Sequence, residues 1–119
     1  MTANVYWVLQ LKLKDGELDN AKALMTEMVQ ATQANEPGAL AYEWFINEEN
    51  QTCHIYERYA DSDAVMTHMG TFGEKFAKRF MGVFQPTGVT VYGDANEKVV
   101  EAMTPLGASF YPFTAGFAR

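Results

Sequence analysis

The stretch that decides the fold is ALAYEWFINEENQTCHIYERYA, residues 39–60. Two runs rich in β-branched and aromatic residues, 39–47 and 52–60, flank the polar Glu48-Glu49-Asn50-Gln51. That pattern reads as two antiparallel strands joined by a short loop. If 48–51 is the loop, Asn47 faces Thr52, Ile46 faces Cys53, Trp44 faces Ile55, Tyr42 faces Glu57 and Leu40 faces Tyr59. Side chains alternate between the two faces of a sheet, so Leu40, Tyr42, Trp44, Ile46, Cys53, Ile55, Glu57 and Tyr59 share one face. Ala41, Glu43, Phe45, His54, Tyr56 and Arg58 share the other. The first set is the more apolar and is expected under helices. The second mixes aromatics with charges and reads as an interface rather than a solvated surface.

Working outward, residues 4–13 alternate, with Val5, Trp7, Leu9, Leu11 and Leu13 on one side, and predict a half-buried strand. Asp15-Gly16 ends it. Leu18, Ala21, Met25, Met28, Val29 and Thr32 then follow helical spacing until Pro37-Gly38 stops the helix. After the hairpin, Asp61-Ser62 offers an N-cap and Asp63 suits the first turn. Val65, Met69, Phe72, Phe76, Phe80 and Val83 continue at helical steps, with Gly70 and Gly73 expected to break the helix in two. Pro86 is expected to end it, and Gly88–Gly93 to enclose a fourth strand, VTVY. The order β-α-β-β-α-β predicts an α+β, ferredoxin-like fold: an antiparallel sheet with helices on one face. Residues 1–94 would form this domain. Residues 95–119 would form an extension, with a short helix from Asn96 to Met103 and then an aromatic tail that docks on its own domain or on a partner chain.

The chain has 119 residues, with 15 acidic against 9 basic side chains and a net charge of −6. That length suits one domain with one core. The acidic balance argues against nucleic acid and anionic membranes as partners. A single cysteine, Cys53, excludes an internal disulfide. The N-terminal run has no charged leader and no segment approaches membrane-spanning length, so a cytoplasmic protein is expected. The two histidines are too few for a three-histidine metal site. His54 and Glu57 lie three apart on a strand and face opposite ways, so no metal is expected.

Glu57 stands out among the helix-facing residues. A buried carboxylate is costly unless it is hydrogen-bonded. Tyr42 directly opposite, or His68 on the inner edge of the following helix, is placed to partner it. Tyr42, Glu57 and His68 are expected to line one cavity walled by Trp7, Trp44, Phe72 and Phe76. An apolar hollow with a few converging polar groups is the default small-molecule site.

These residues also carry a resemblance. Glu36-Pro37-Gly38, Tyr42-Glu43, Tyr56-Glu57-Arg58-Tyr59, Asp61, Ala64 and His68 together resemble the antibiotic biosynthesis monooxygenase family, which includes quinol monooxygenases. The likeness spans residues 4–93. It departs from the usual pattern at Gly70-Thr71-Phe72-Gly73 and in the tail. Two copies of the interface-like sheet face packed together predict a homodimer with a barrel-like centre, and the resemblance implies the same, a dimeric α+β barrel. It also implies oxidation of a small aromatic or quinol-like substrate by O₂ without cofactors. On that footing His68 would be the base and Glu57 its orienter. Tyr42 and Tyr59 would hold the substrate oxygen, and Trp7, Trp44, Phe72 and Phe76 would be its apolar walls. The axial histidine of heme-degrading relatives has no counterpart here. The alternative is a non-catalytic dimeric module, ligand-binding or stress-related. In that case His68 and Glu57 make structural bonds and the aromatics are plain core.

Overall fold

The computed structural model describes residues 3–119; the leaderless reading of Met1 and Thr2 lies outside them. The chain forms β1 (Val5–Leu13), α1 (Leu18–Asn35), β2 (Ala39–Asn47), β3 (Thr52–Tyr59), α2 (Ser62–Lys75) and α3 (Ala77–Val83). It continues with β4 (Phe84–Gly93), α4 (Glu97–Met103), a 3₁₀ turn (Thr104–Leu106) and β5 (Ala108–Tyr111). The sheet order is β2-β3-β1-β4-β5, antiparallel throughout except that β5 runs parallel to β4. This is the ferredoxin-like α+β arrangement, extended at one edge by the C-terminal strand.

The hairpin register matches the expectation from Asn47–Thr52 to Tyr42–Glu57. It then shifts: Ala39, not Leu40, lies opposite Tyr59. Leu40 is turned out to solvent. The cause is the turn before it. The Ala39 amide donates to the Glu36 carbonyl and the Ala60 amide to the Gly38 carbonyl, at 3.0 and 2.8 Å. Leaving this tight turn takes one extra residue before the ladder comes into step, which is what a bulge supplies.

Two other expectations are corrected. Gly70 and Gly73 do not interrupt α2, which runs on to Lys75; the break falls at Phe76, with φ −125° and ψ −21°. A glycine weakens a helix by about 1 kcal/mol against alanine but does not stop one whose apolar face is packed. Pro86 lies inside β4, which begins at Phe84 rather than after Gly88. It sits opposite Leu11, next to the point where the β1–β4 register shifts, a place where a missing amide is tolerated.

All the helices cover one face of the sheet, and the core has two clusters. In the first, Leu11, Leu13, Cys53 and Ile55 pack against Ala21, Leu24 and Met28 of α1 and Phe80 and Val83 of α3. In the second, Val5, Trp7, Tyr59, Val89 and Val91 pack against Val65 of α2 and Val99 and Met103 of α4. Leu9 touches both. The candidate site lies along this seam. Among the described residues, no helix is long and apolar enough to cross a membrane.

Candidate active site

Strand parity brings Glu57 to the helix side of the sheet, between Trp7 of β1 and Tyr42 of β2. Tyr59, two residues on, faces the same way, and its hydroxyl donates to Glu57 Oε1 at 2.6 Å. α2 is started by Asp61, whose side chain accepts from the Ala64 amide at 2.8 Å. Four residues after Ala64, His68 is carried to the sheet. Gly38 makes that approach close enough, because a Cβ there would stand 2.6 Å from the Ala64 Cβ.

His68 is held from both sides. Nδ1 lies 2.9 Å from Glu36 Oε1, and Nε2 lies 3.3 Å from Glu57 Oε1. All three side chains are buried, at 6% exposure for Glu36, 4% for Glu57 and 7% for His68. Burial alone pushes the His68 pKa down. The hydrogen bond and charge of Glu57, followed by the charge and hydrogen bond of Glu36, outweigh it, and the net shift is upward. Nδ1 is within hydrogen-bond distance of Glu36 and Nε2 faces the Glu57 carboxylate, and both contacts favour the protonated ring. Burial first, then the Glu57 charge, raises the pKa of Tyr42 and Tyr59, so both hydroxyls keep their protons.

Glu36 is not among the expected site residues; it enters the sequence reading only in the Glu36-Pro37-Gly38 run that carries the family resemblance, beside the Pro37-Gly38 helix stop. A signal for it exists. It caps the C-terminal end of α1, where the helix dipole disfavours an acid, and the last turn holds no basic residue to offset it. An acid in that place calls for a partner elsewhere, and here the partner is His68.

A cavity of about 90 Å³ opens beside this triad. Its polar lining comes from Tyr42, Glu57 and His68; Trp7, Phe72, Met28, Met69, Val89, Met103 and Leu106 supply apolar walls. The structure thus brings Trp7, Tyr42, Glu57, His68 and Phe72 together. It does not bring Trp44 or Phe76 to the cavity. Trp44, on the edge strand β2, turns to Phe84 and Phe80, with ring centroids 5.9 and 6.3 Å away. Phe76, at the break between α2 and α3, is buried in the first cluster. Tyr59 stands behind Glu57, its ring 5.0 Å from that of Trp7 and 5.1 Å from that of His68. Glu36 and Glu57 flank opposite nitrogens of one ring, so they do not converge on a single ion. Among the described residues, no cluster of histidine, cysteine and carboxylates is arranged to hold a metal. Cys53, its pKa pushed up to about 11 by burial, is a protonated core thiol.

The sequence profile of the antibiotic biosynthesis monooxygenases matches residues 4–78. No curated protein matches the chain in sequence. Among solved structures, MupZ from Pseudomonas fluorescens superposes with a TM-score of 0.87 at 19% identity, covering 99% of this chain and 96% of its own. A candidate antibiotic biosynthesis monooxygenase from Caulobacter crescentus CB15 superposes at 0.66 with 24% identity, covering 81% and 92%. Another, from Bacteroides thetaiotaomicron VPI-5482, superposes at 0.63 with 23% identity, covering 69% and 80%. At these identities the superpositions speak for the fold alone.

Proposed function

The chain belongs to the antibiotic biosynthesis monooxygenase family, and from that premise we propose that it oxidises a small hydroxyl-bearing aromatic or quinol-like molecule with O₂, using neither metal nor flavin. The observation that carries this reading is the Glu36–His68–Glu57 chain set into the wall of an otherwise apolar cavity. An electron-rich phenol loses its proton, and the phenolate gives one electron to O₂. Superoxide and the substrate radical combine at carbon, and the peroxide loses water to leave a new carbonyl. The sum, SH₂ + O₂ → SO + H₂O, needs no external reductant. The protein's part is to bind the ring, take the first proton and exclude water.

The roles differ from a simple histidine base. Both ring nitrogens of His68 face carboxylates, so neither is free to meet a substrate proton. Glu57 meets it instead. Its Oε1 takes Tyr59 and His68, and among the described residues its second oxygen has no hydrogen-bond partner. His68, steadied by Glu36, supplies the positive charge behind it. Tyr42 donates to the substrate oxygen, Tyr59 holds Glu57 in place, and Trp7 and Phe72 flank the ring. Oxygen uptake with a panel of hydroquinones tests this. Turnover that falls by about 10²-fold or more in Glu57→Gln supports it, and undiminished turnover in that variant removes Glu57 from the chemistry. The second reading is a ligand-binding module without catalysis, favoured by the same doubly held imidazole. Binding of these phenols with no oxygen uptake would decide for it.

The homodimer belongs to the same proposal. The helix-free face carries Tyr6, Val8, Glu43, Phe45, His54, Tyr56, Arg58 and Tyr92, with Phe45 at 57% exposure. A second copy packed sheet to sheet would cover it.

A further inference from the structure

Two walls of the cavity come from the C-terminal extension, past residue 94: Met103, ending α4, and Leu106, in the turn after it. They are held differently. Met103 is 2% exposed within the second cluster, whereas Leu106 is 60% exposed with one flank on the cavity. A leucine with so much surface in water gains only about 1 kcal/mol from the part that is covered. Its side chain therefore moves at small cost. The backbone beneath it is pinned. Buried Val99 anchors α4, the Asn96 side chain caps it by accepting from the Val99 amide at 3.1 Å, and β5 is laddered onto β4 just past Gly107. Gly107 takes φ 82°, which lets the chain pass from the turn into β5 within one residue. The roof is a fixed backbone bearing one mobile leucine and one buried, adaptable methionine.

Resting on the reading of this cavity as the substrate site, we propose that Met103 and Leu106 set the size of the ligand, admitting a single-ring hydroxylated aromatic and rejecting a two-ring one. The cavity of about 90 Å³ is smaller than the roughly 150 Å³ that houses a benzene ring in an apolar core. One ring fits once the Leu106 side chain swings outward. A second ring meets the branched end of Leu106, whose swing is limited because the backbone beneath it is pinned, and Met103 behind it.

Met28, Met69 and Met103 all line the cavity, so their methyl NMR signals report on what enters it. The probes are phenol and 1-naphthol, titrated into the full chain. Phenol should shift all three methyls, and 1-naphthol should bind at least about tenfold more weakly. Leu106→Ala should raise 1-naphthol affinity about tenfold while changing phenol by less than about threefold. Leu106→Trp should weaken phenol about tenfold. Leu106 is largely exposed, so both variants keep the fold. Equal affinity for the two probes, or variants that leave their ratio unchanged, overturns the size filter and leaves the functional reading standing. Phenol that moves none of the three methyls overturns both.

Discussion

His68 sits between two buried carboxylates, which makes its charge a property of the fold. Its pKa in the folded chain is raised above the ordinary value. A raised pKa means the folded state binds the proton more tightly than the unfolded one. The stability it contributes is fully present below the unfolded value of about 6.5 and is lost as pH rises through the folded value. Thermal melts should therefore show a midpoint that declines over that window, and Glu57→Gln should flatten the decline. His68→Ala leaves Glu36 and Glu57 buried with no cation between them, and a urea titration should find it less stable by about 3–5 kcal/mol. A loss below about 1 kcal/mol would mean that the carboxylates do not depend on the ring. At this scale the sequence was partly legible. Glu57 and His68 announce themselves, one as an acid on an apolar face and the other on the inner edge of a helix. Glu36 does not, because a helix-ending Glu-Pro-Gly has a sufficient local explanation in the proline. The resemblance carried by Glu36-Pro37-Gly38 assigns it no role, and the dipole argument alone gives a physical reason to look for its partner.

Among the elements, the contact that delivers His68 is the one between the turn before β2 and the start of α2. An alanine at Gly38 would place its Cβ against that of Ala64 at 2.6 Å. Gly38→Ala should cost about 1–3 kcal/mol by denaturant unfolding. Adding Ala64→Gly should recover part of it, since the second change removes the clashing methyl. Two additive losses would show that the approach is not the cause. Strand parity was legible because period-two alternation has few solutions, and it placed Glu57 and Tyr42 opposite one another as found. The bulge at Leu40 was not legible, because it arises from backbone bonds in the turn and not from any side-chain pattern. Gly70 and Gly73 misled for a related reason. Local propensity suggests a break, while the packing of Val65, His68 and Phe72 carries the helix through.

For the molecule as a whole, the sheet has one face covered by helices and one that they leave open, with the tail beside Tyr6, Arg58 and Tyr92 at one end. Phe45, Tyr92 and Tyr111 leave aromatic surface on or beside the helix-free face, and Phe113 and Phe117 add more from the tail. Surface of this kind marks an interaction site. Phe45→Arg, at a position far from the helix layer, should convert a dimer to a monomer in sedimentation experiments without lowering the melting point of the subunit by more than a few degrees. A wild-type chain that sediments as a monomer would refute the sheet-to-sheet pairing. The fifth strand was not foreseen, because the aromatic composition of Ala108–Tyr111 shows only that the segment must be covered, while its position beside β4 is decided by the path of α4 and Gly107. Residue, element and molecule meet in one imidazole held between two buried acids next to an apolar hollow. An NMR pH titration of the His68 ring nitrogens tests that most directly. A midpoint above the ordinary value of about 6.5, falling in Glu57→Gln, is the predicted result. A ring that titrates at or below its ordinary value would contradict it.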